Sequence, residues 1–167
     1  SGHCVALSGS CSLATRAQVK LHAEQHPALE LRAEEVICGH TKPAQVCDWL
    51  MLQSGIPLAY SSADPDTVAK VQQTYGSDVA AAALEAFFAS VAHELVARGL
   101  RRLVVAGGET SGAVVESLQL NVMEIGPEID PGVPAMRADA NLVFTLKSGN
   151  FGAPDFFAKA AKVLAGE

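Results

Sequence analysis

Three times in this chain a short apolar run ends in a glycine-rich turn that opens into a helical stretch. Cys4–Ser8 runs into Gly9-Ser10-Cys11-Ser12, residues 103–106 run into Gly107-Gly108-Glu109-Thr110-Ser111-Gly112, and residues 142–146 run into Lys147-Ser148-Gly149-Asn150-Phe151-Gly152. Apolar runs of this length, bounded by turn residues, read as buried strands. A strand that must cross through a helix before the next strand builds a parallel sheet covered on its faces. The pattern predicts an α/β fold: three layers, a mostly parallel sheet, and helices on both faces.

The intervening sequence fits that frame. Helical patterns run over 13–25, with Ser10 or Ser12 as the N-cap, and over 43–53, opened by Pro43 and closed by Gly55. Strands are expected at 29–31, 56–60 and 122–125. Asp64 or Asp66 caps a short helix through Val68 and Val71. The longest helix has Ser77 as N-cap, runs over 79–97 and closes at Gly99. Its Leu84, Phe87, Phe88, Val91, Leu95 and Val96 recur at helical spacing and give a wide apolar face. Helices at 111–118 and 154–165 complete the pattern, with residues 126–134 read as a loop stiffened by proline and glycine. No repeat or low-complexity linker divides the chain, so residues 1–167 are expected to form one domain.

Composition narrows the class. The 167 residues are 49% hydrophobic and 18% charged, which excludes a disordered chain. Aromatics number nine against 28 alanines, a balance suited to close helix packing on small side chains. The formal net charge of −6 argues against a nucleic-acid surface, and the one adjacent basic pair, Arg101-Arg102, reads as a strand entrance. No run of 18 apolar residues is present and no signal peptide is visible, so no membrane partner is expected and a cytoplasmic location is. Cys4, Cys11, Cys38 and Cys47 form no C-x-x-C pair and are expected as free thiols rather than a metal site. Whether the opening Ser1-Gly2 is native is open.

The glycine turns carry the chemistry. In an open α/β sheet all three lie at the carboxyl ends of strands, where ligands bind. Glycine lets backbone approach a ligand, and a helix N-terminus offers unpaired N–H groups with partial positive charge. Hydroxyls of Ser10, Ser12, Thr110 and Ser111 add donors, and Lys147 adds the fixed positive charge. There is neither a G-x-x-x-x-G-K-[ST] phosphate loop nor a G-x-G-x-x-G after the first strand. A Rossmann-type oxidoreductase is therefore disfavoured, and the residues alone point to a phosphate- or nucleotide-binding domain.

Four ordered motifs then carry a resemblance. Gly9-Ser10-Cys11-Ser12 with Ala14-Thr15-Arg16-Ala17-Gln18, the Gly107–Gly112 turn, the stretch from Ile125 through Pro127, Asp130 and Gly132 to Pro134, and the stretch from Lys147 to Phe157 resemble the four-carbon acid sugar kinase family. The likeness covers residues 5–164 and is to that family's C-terminal, nucleotide-binding domain. The Gly-Gly-Glu-Thr form resembles the 3-oxo-tetronate kinase branch most. The resemblance implies ATP-dependent phosphate transfer to the terminal hydroxyl of a four-carbon acid sugar, with Mg²⁺ accompanying the ATP. Carried over by motif, the ATP contacts fall on Ser10 or Ser12, on Gly107, Gly108, Glu109 and Thr110, and on Gly149. Ser111, Gly112, Lys147, Asn150 and Gly152 belong to the same expected binding set. The family's kinases hold the sugar acid in a preceding domain, so this chain is expected to lack turnover by itself, and no catalytic base is assigned. The competing reading is a non-catalytic module that binds a phosphorylated metabolite.

Other residues are weighed individually. Glu109 could serve Mg²⁺ through water, bind ribose, or cap its helix. Glu128 and Asp130 could line the nucleotide pocket or sit in a solvated turn. Arg16 and Arg137 are candidates for phosphate or carboxylate, and Cys11 is expected to pack its loop. His22 and His26 are spaced for a metal on one helix face, but no nearby carboxylate supports that and they are expected as a surface pair. The Phe87-Phe88 and Phe156-Phe157 doublets belong to the core or to an interface, including one between two copies of the chain.

Overall fold

Val5 and Leu7 alternate with Cys4 and Ala6, and Leu103 and Val105 alternate with Val104 and Ala106; all eight side chains are buried. Burial on both faces is what a central parallel strand requires. The structure, a computed structural model that describes residues 2–61, 64–138 and 141–167, makes these runs β1 (Cys4–Ser8) and β4 (Arg102–Ala106). They pair in parallel from Cys4↔Arg102 to Ser8↔Ala106. Ser1 lies outside the described residues.

Around this pair the chain runs α1 (Leu13–Ala23), β2 (Ala28–Glu30), α2 (Ala33–Ile37), α3 (Pro43–Leu52), β3 (Leu58–Tyr60), α4 (Pro65–Tyr75) and α5 (Ser77–Ala97) before β4. After it come α6 (Gly108–Ser117), β5 (Glu124–Asp130), β6 (Val133–Arg137), β7 (Val143–Lys147) and α7 (Phe156–Ala165). The sheet order is β2-β3-β1-β4-β7-β6-β5. The first five strands of that order are mutually parallel, and β6 is antiparallel to both its neighbours. One face of the sheet packs Val5, Leu7, Leu103 and Val105 against Leu50 of α3, Phe88 and Val91 of α5 and Val114 of α6. The other packs Ala6, Val104 and Ala106 against Val19 of α1 and Phe156, Phe157 and Ala160 of α7. This is the expected three-layer α/β arrangement. Both phenylalanine doublets belong to these cores.

The strand order reverses at β1. From it the chain travels out to β2 and β3 on one side, then returns through α5 to β4 on the other. The crevice above β1 and β4 is where an open α/β sheet leaves room for a ligand.

Four sequence expectations need correction. Residues 126–134 are not a loop: β5 and β6 form a hairpin, turning at Pro131-Gly132 with Gly132 at φ +79°. Pro127 and Pro134 argue against strand there, but Pro127 lies on β5, the sheet edge, and Pro134 of β6 sits opposite Glu128 where the register slips, so the missing N–H groups are tolerated. The short helix α2 was not foreseen. Helix α6 begins at Gly108 rather than Ser111, which puts Glu109 and Thr110 in its first turn. Gly76, at φ 88°, rather than Ser77 is the N-cap of α5.

Helix α5 also bears on the membrane expectation. Over 18 residues its mean hydropathy is 1.5, enough by length and composition to cross a bilayer. Its Phe87, Phe88, Val91, Ala92 and Leu95 are instead buried in the core.

Candidate functional site

Neighbouring parallel strands deliver neighbouring turns. The order β1-β4-β7 brings the three glycine turns side by side at one sheet edge. The Gly9 N–H donates to the Ala106 carbonyl at 2.9 Å, and the Gly107 N–H to the Lys147 carbonyl at 2.7 Å. The turns interlock closely: a Cβ on Gly9 would stand 2.0 Å from Thr110 Oγ1, and one on Gly107 would stand 3.1 Å from the Ser10 nitrogen. A Cβ on Gly149 would stand 2.6 Å from Ser10 Oγ. At Gly107 backbone passes backbone, while Gly9 and Gly149 press against the side chains of Thr110 and of Ser10 and Ser12.

The first two turns open into a cleft of about 430 Å³. Ser10, Gly107, Gly108, Glu109 and Thr110, all expected site residues, line one end of it. Gly107 has φ 113° and no side chain caps α6. The first-turn amides of α6 and its partial positive charge therefore face this end, the arrangement that attracts phosphate.

The third turn does not line the cleft; it supports the first. Ser12 caps α1 by accepting from the Thr15 N–H at 3.2 Å, and its hydroxyl donates to the Gly149 carbonyl at 2.5 Å. Thr15 Oγ1 donates to the same carbonyl at 2.8 Å. Lys147, expected as a phosphate partner, is fully buried. Its Nζ donates to Thr15 Oγ1 at 2.9 Å and to the Ser148 and Gly149 carbonyls at 3.0 Å each. All three donors are thus used beneath the loop, and burial pushes the ammonium down to about 8. Gly152, at φ +89°, packs on Gln18 and Phe156, while Asn150 is exposed. Ser111 is buried on the inner side of α6 with no partner for its hydroxyl among the described residues, and a Cβ added to Gly112 would meet none of them within 4 Å.

The opposite wall was missed by sequence reasoning. It comes from the β2–α2 junction, from Ser61 after β3, and from α4 and α5, with Val68, Val71, Ala80, Ala81 and Leu84 prominent. The run of small residues at 80–83 was the available signal, since small side chains on one wall leave room for a ligand. Glu85 of α5 also lines the cleft. Partial burial first, then the charge of Glu109 and a hydrogen bond with it, raise the Glu85 carboxyl above its usual range.

The remaining candidates lie elsewhere. The Asp130 carboxylate pairs with Lys159 and accepts from the Ala153 N–H at 3.0 Å, while Glu128 accepts from the Gly132 N–H at 3.1 Å. Both are hairpin braces rather than cleft residues. Arg137 borders a separate groove between the hairpin and α7, and Arg16 is outside the cleft. His22 and His26 stack at 4.5 Å, with His22 Nε2 donating to the Ile56 carbonyl at 2.7 Å. Cys11 is exposed at the cleft, and none of the four cysteines is in a disulfide.

Comparison with known proteins meets this geometry. Residues 5–157 match the model of a nucleotide-binding C-terminal domain. The chain is 42% identical over 166 residues to a 3-oxo-tetronate kinase of Brucella melitensis, covering 97% of this chain and 38% of that protein. It is 44% identical over 169 residues to a 3-oxo-tetronate kinase of Pseudomonas savastanoi pv. phaseolicola, covering 99% and 39% respectively. A crystal structure of a Haemophilus influenzae protein superposes with a TM-score of 0.92 at 36% identity, over 98% of this chain and 41% of that one. The chain therefore spans about two fifths of the length of these relatives. On fold, motifs and relatives together, the chain belongs to the four-carbon acid sugar kinase family, as a nucleotide-binding C-terminal domain of that family.

Proposed function

We propose that this chain is the ATP-binding part of a sugar-acid kinase that phosphorylates the terminal hydroxyl of a 3-oxo-tetronate. The observation that carries the reading is the meeting of the β1 and β4 glycine turns at the uncapped N-terminus of α6, inside one cleft. Phosphoryl transfer asks little covalent chemistry of the protein and depends on positioning and charge stabilisation. Backbone amides of Gly108, Glu109 and Thr110, with the Ser10 and Thr110 hydroxyls, supply that for the phosphates. The Ser12–Thr15–Lys147 cluster holds the first and third turns in place beneath them.

Magnesium is the cation the reading implies, and the donors fit it. Glu109 and Glu85 face the cleft from two helices and share a hydrogen bond, so hard oxygen donors are already gathered there. Among the described residues no group of three or more His, Cys, Asp or Glu could hold a metal by itself. Nucleotide phosphates and water would complete the shell, as is usual for Mg²⁺. Bound there, the ion would offset phosphate charge.

The sugar acid and the base that accepts its hydroxyl proton belong to the rest of a longer protein in this reading, one comparable in length to the relatives. That protein works in the cytoplasm. The competing reading, a regulatory module for a phosphorylated metabolite, gives no use to the apolar wall of α4 and α5. Calorimetry with ADP tests the proposal, comparing the chain with Gly108→Val. Gly108 has open space beside it, the nearest atom to an added Cβ being Ser148 Oγ at 3.8 Å. The variant should fold normally and lose ADP affinity by about tenfold or more. Unchanged affinity in a folded variant counts against the reading.

A further inference from the structure

Helix α4 stands apart from the packing that fixes its neighbours. Of its eleven residues only Val71 is buried, and no residue of α4 joins either hydrophobic core. Its apolar Val68 and Val71 instead border the cleft, together with Thr67 and Gln72. Helix α5, by contrast, is anchored in the core through Phe88 and Val91. A single residue, Gly76, joins the two helices. Its N–H donates to the Gln72 carbonyl at 2.9 Å and ends α4, and its carbonyl accepts from the Ala80 N–H at 3.1 Å and starts α5. Gly76 has φ +88°, and an added Cβ would meet nothing within 4 Å. A glycine in open space can absorb a change in φ and ψ that moves one helix and leaves the other in place. At the opposite end the Asp64 carboxylate accepts from the Thr67 N–H at 2.9 Å and from Thr67 Oγ1 at 3.1 Å. The cap lies within the segment itself, so α4 can move as a unit.

We propose that α4 is a lid hinged at Gly76, which swings as one helix to open the cleft and closes over its occupant. The occupant is taken from the nucleotide reading above, and the lid adds a step that controls entry and release. An apolar helix face that borders a cavity gains burial only when something fills the cavity, so an occupied cleft favours the closed position. The swing is bounded. Ser61, whose N–H donates to the Ser8 carbonyl at 2.9 Å, is fixed to the sheet three residues before Asp64, and that much chain spans at most about 10 Å. Lids of this kind often set the rate of product release rather than of the chemical step.

The test is a distance measurement between two spin labels on the 167-residue chain carrying Cys11→Ser and Cys38→Ser, which leaves only the buried thiols of Cys4 and Cys47. One label sits on α4 at Gln73→Cys and the other on α7 at Lys162→Cys, both exposed and outside the cleft. A control pair moves the first label to Ser90→Cys, exposed on α5. In the free chain the α4–α7 distance should be spread or split, and saturating ADP should collapse it to one value. The α5–α7 distance should be the same in both states. An α4–α7 distance as narrow as the control in the free chain, or a spread that bound ADP leaves unaltered, overturns the lid. Calorimetry on the same chain separates the two readings. If ADP does not bind, the nucleotide reading fails, and the free chain alone decides the lid: a spread α4–α7 distance supports it and a narrow one overturns it.

Discussion

Gly9 and Thr110 are locked against each other: a single added carbon on Gly9 would stand 2.0 Å from Thr110 Oγ1 and 3.2 Å from its Cβ. Gly9 opens the turn after β1 and Thr110 sits in the first turn of α6, so this contact sets the spacing of the two segments that line the end of the cleft. The clash is purely steric, since no positive φ is required at Gly9.

A double-mutant cycle follows from that contact. Gly9→Ala should destabilise the chain by roughly 1–3 kcal/mol, the usual cost of overpacking. Thr110→Ala removes Oγ1, the atom in worst conflict, and leaves only Cβ at 3.2 Å, so Gly9→Ala/Thr110→Ala should be more stable than the sum of the single changes implies. Urea unfolding of the four proteins measures the coupling, and strict additivity would show that the two residues do not touch.

Lys147 gives a prediction of opposite kind. Its ammonium serves Thr15, Ser148 and Gly149, not the cleft. Lys147→Met should cost roughly 1–3 kcal/mol of stability by leaving buried oxygens short of a donor. ADP affinity, measured on the folded fraction, should change far less than in Gly108→Val. A variant of unaltered stability that no longer binds ADP would put the ammonium on the phosphates after all.

The sequence exposed one half of this site and hid the other. Glycine turns after apolar runs are local signals, readable because backbone strain and helix starts are written in neighbouring residues. Ser10, Gly107, Gly108, Glu109 and Thr110 were accessible in that way, and so was the parallel sheet. The wall from α4 and α5 is non-local: Leu84 belongs to an apolar helical stripe, and only the packing decides that Leu84 borders a cleft while Phe88 is fully buried. Lys147 misled for a related reason. A lysine in a polar turn reads as solvent-facing, yet Thr15, distant in sequence, provides the acceptor that draws it inward. The hairpin of β5 and β6 is hidden because Pro127 is tolerated by its place on the edge strand and Pro134 by the slipped register opposite it, and neither is a local signal.

Acid should loosen the α1–α7 side of the sheet. His22 is buried beside Phe157, and burial, more than any charge, holds its imidazole below the usual value. The Ile56 carbonyl requires a proton on Nε2, which the neutral ring can supply. With the folded value below the unfolded one, the unfolded chain takes up the proton first as pH falls. The contribution is complete above about pH 6.5 and declines below it. Thermal unfolding from about pH 7.5 down to 5.5 should show Tm falling, and His22→Gln should flatten that fall. An identical slope in the variant would assign the acid sensitivity to other groups.

The central claim is that the crevice above β1 and β4 holds an adenine nucleotide, and a crystal structure of the chain with ADP and Mg²⁺ tests it most directly. The account predicts phosphates against Ser10 and the Gly107–Thr110 segment, the cation near Glu109 and Glu85, and the base along Val71, Ala81 and Leu84. Nucleotide bound at another surface, or a cleft still empty at millimolar ADP, would contradict it.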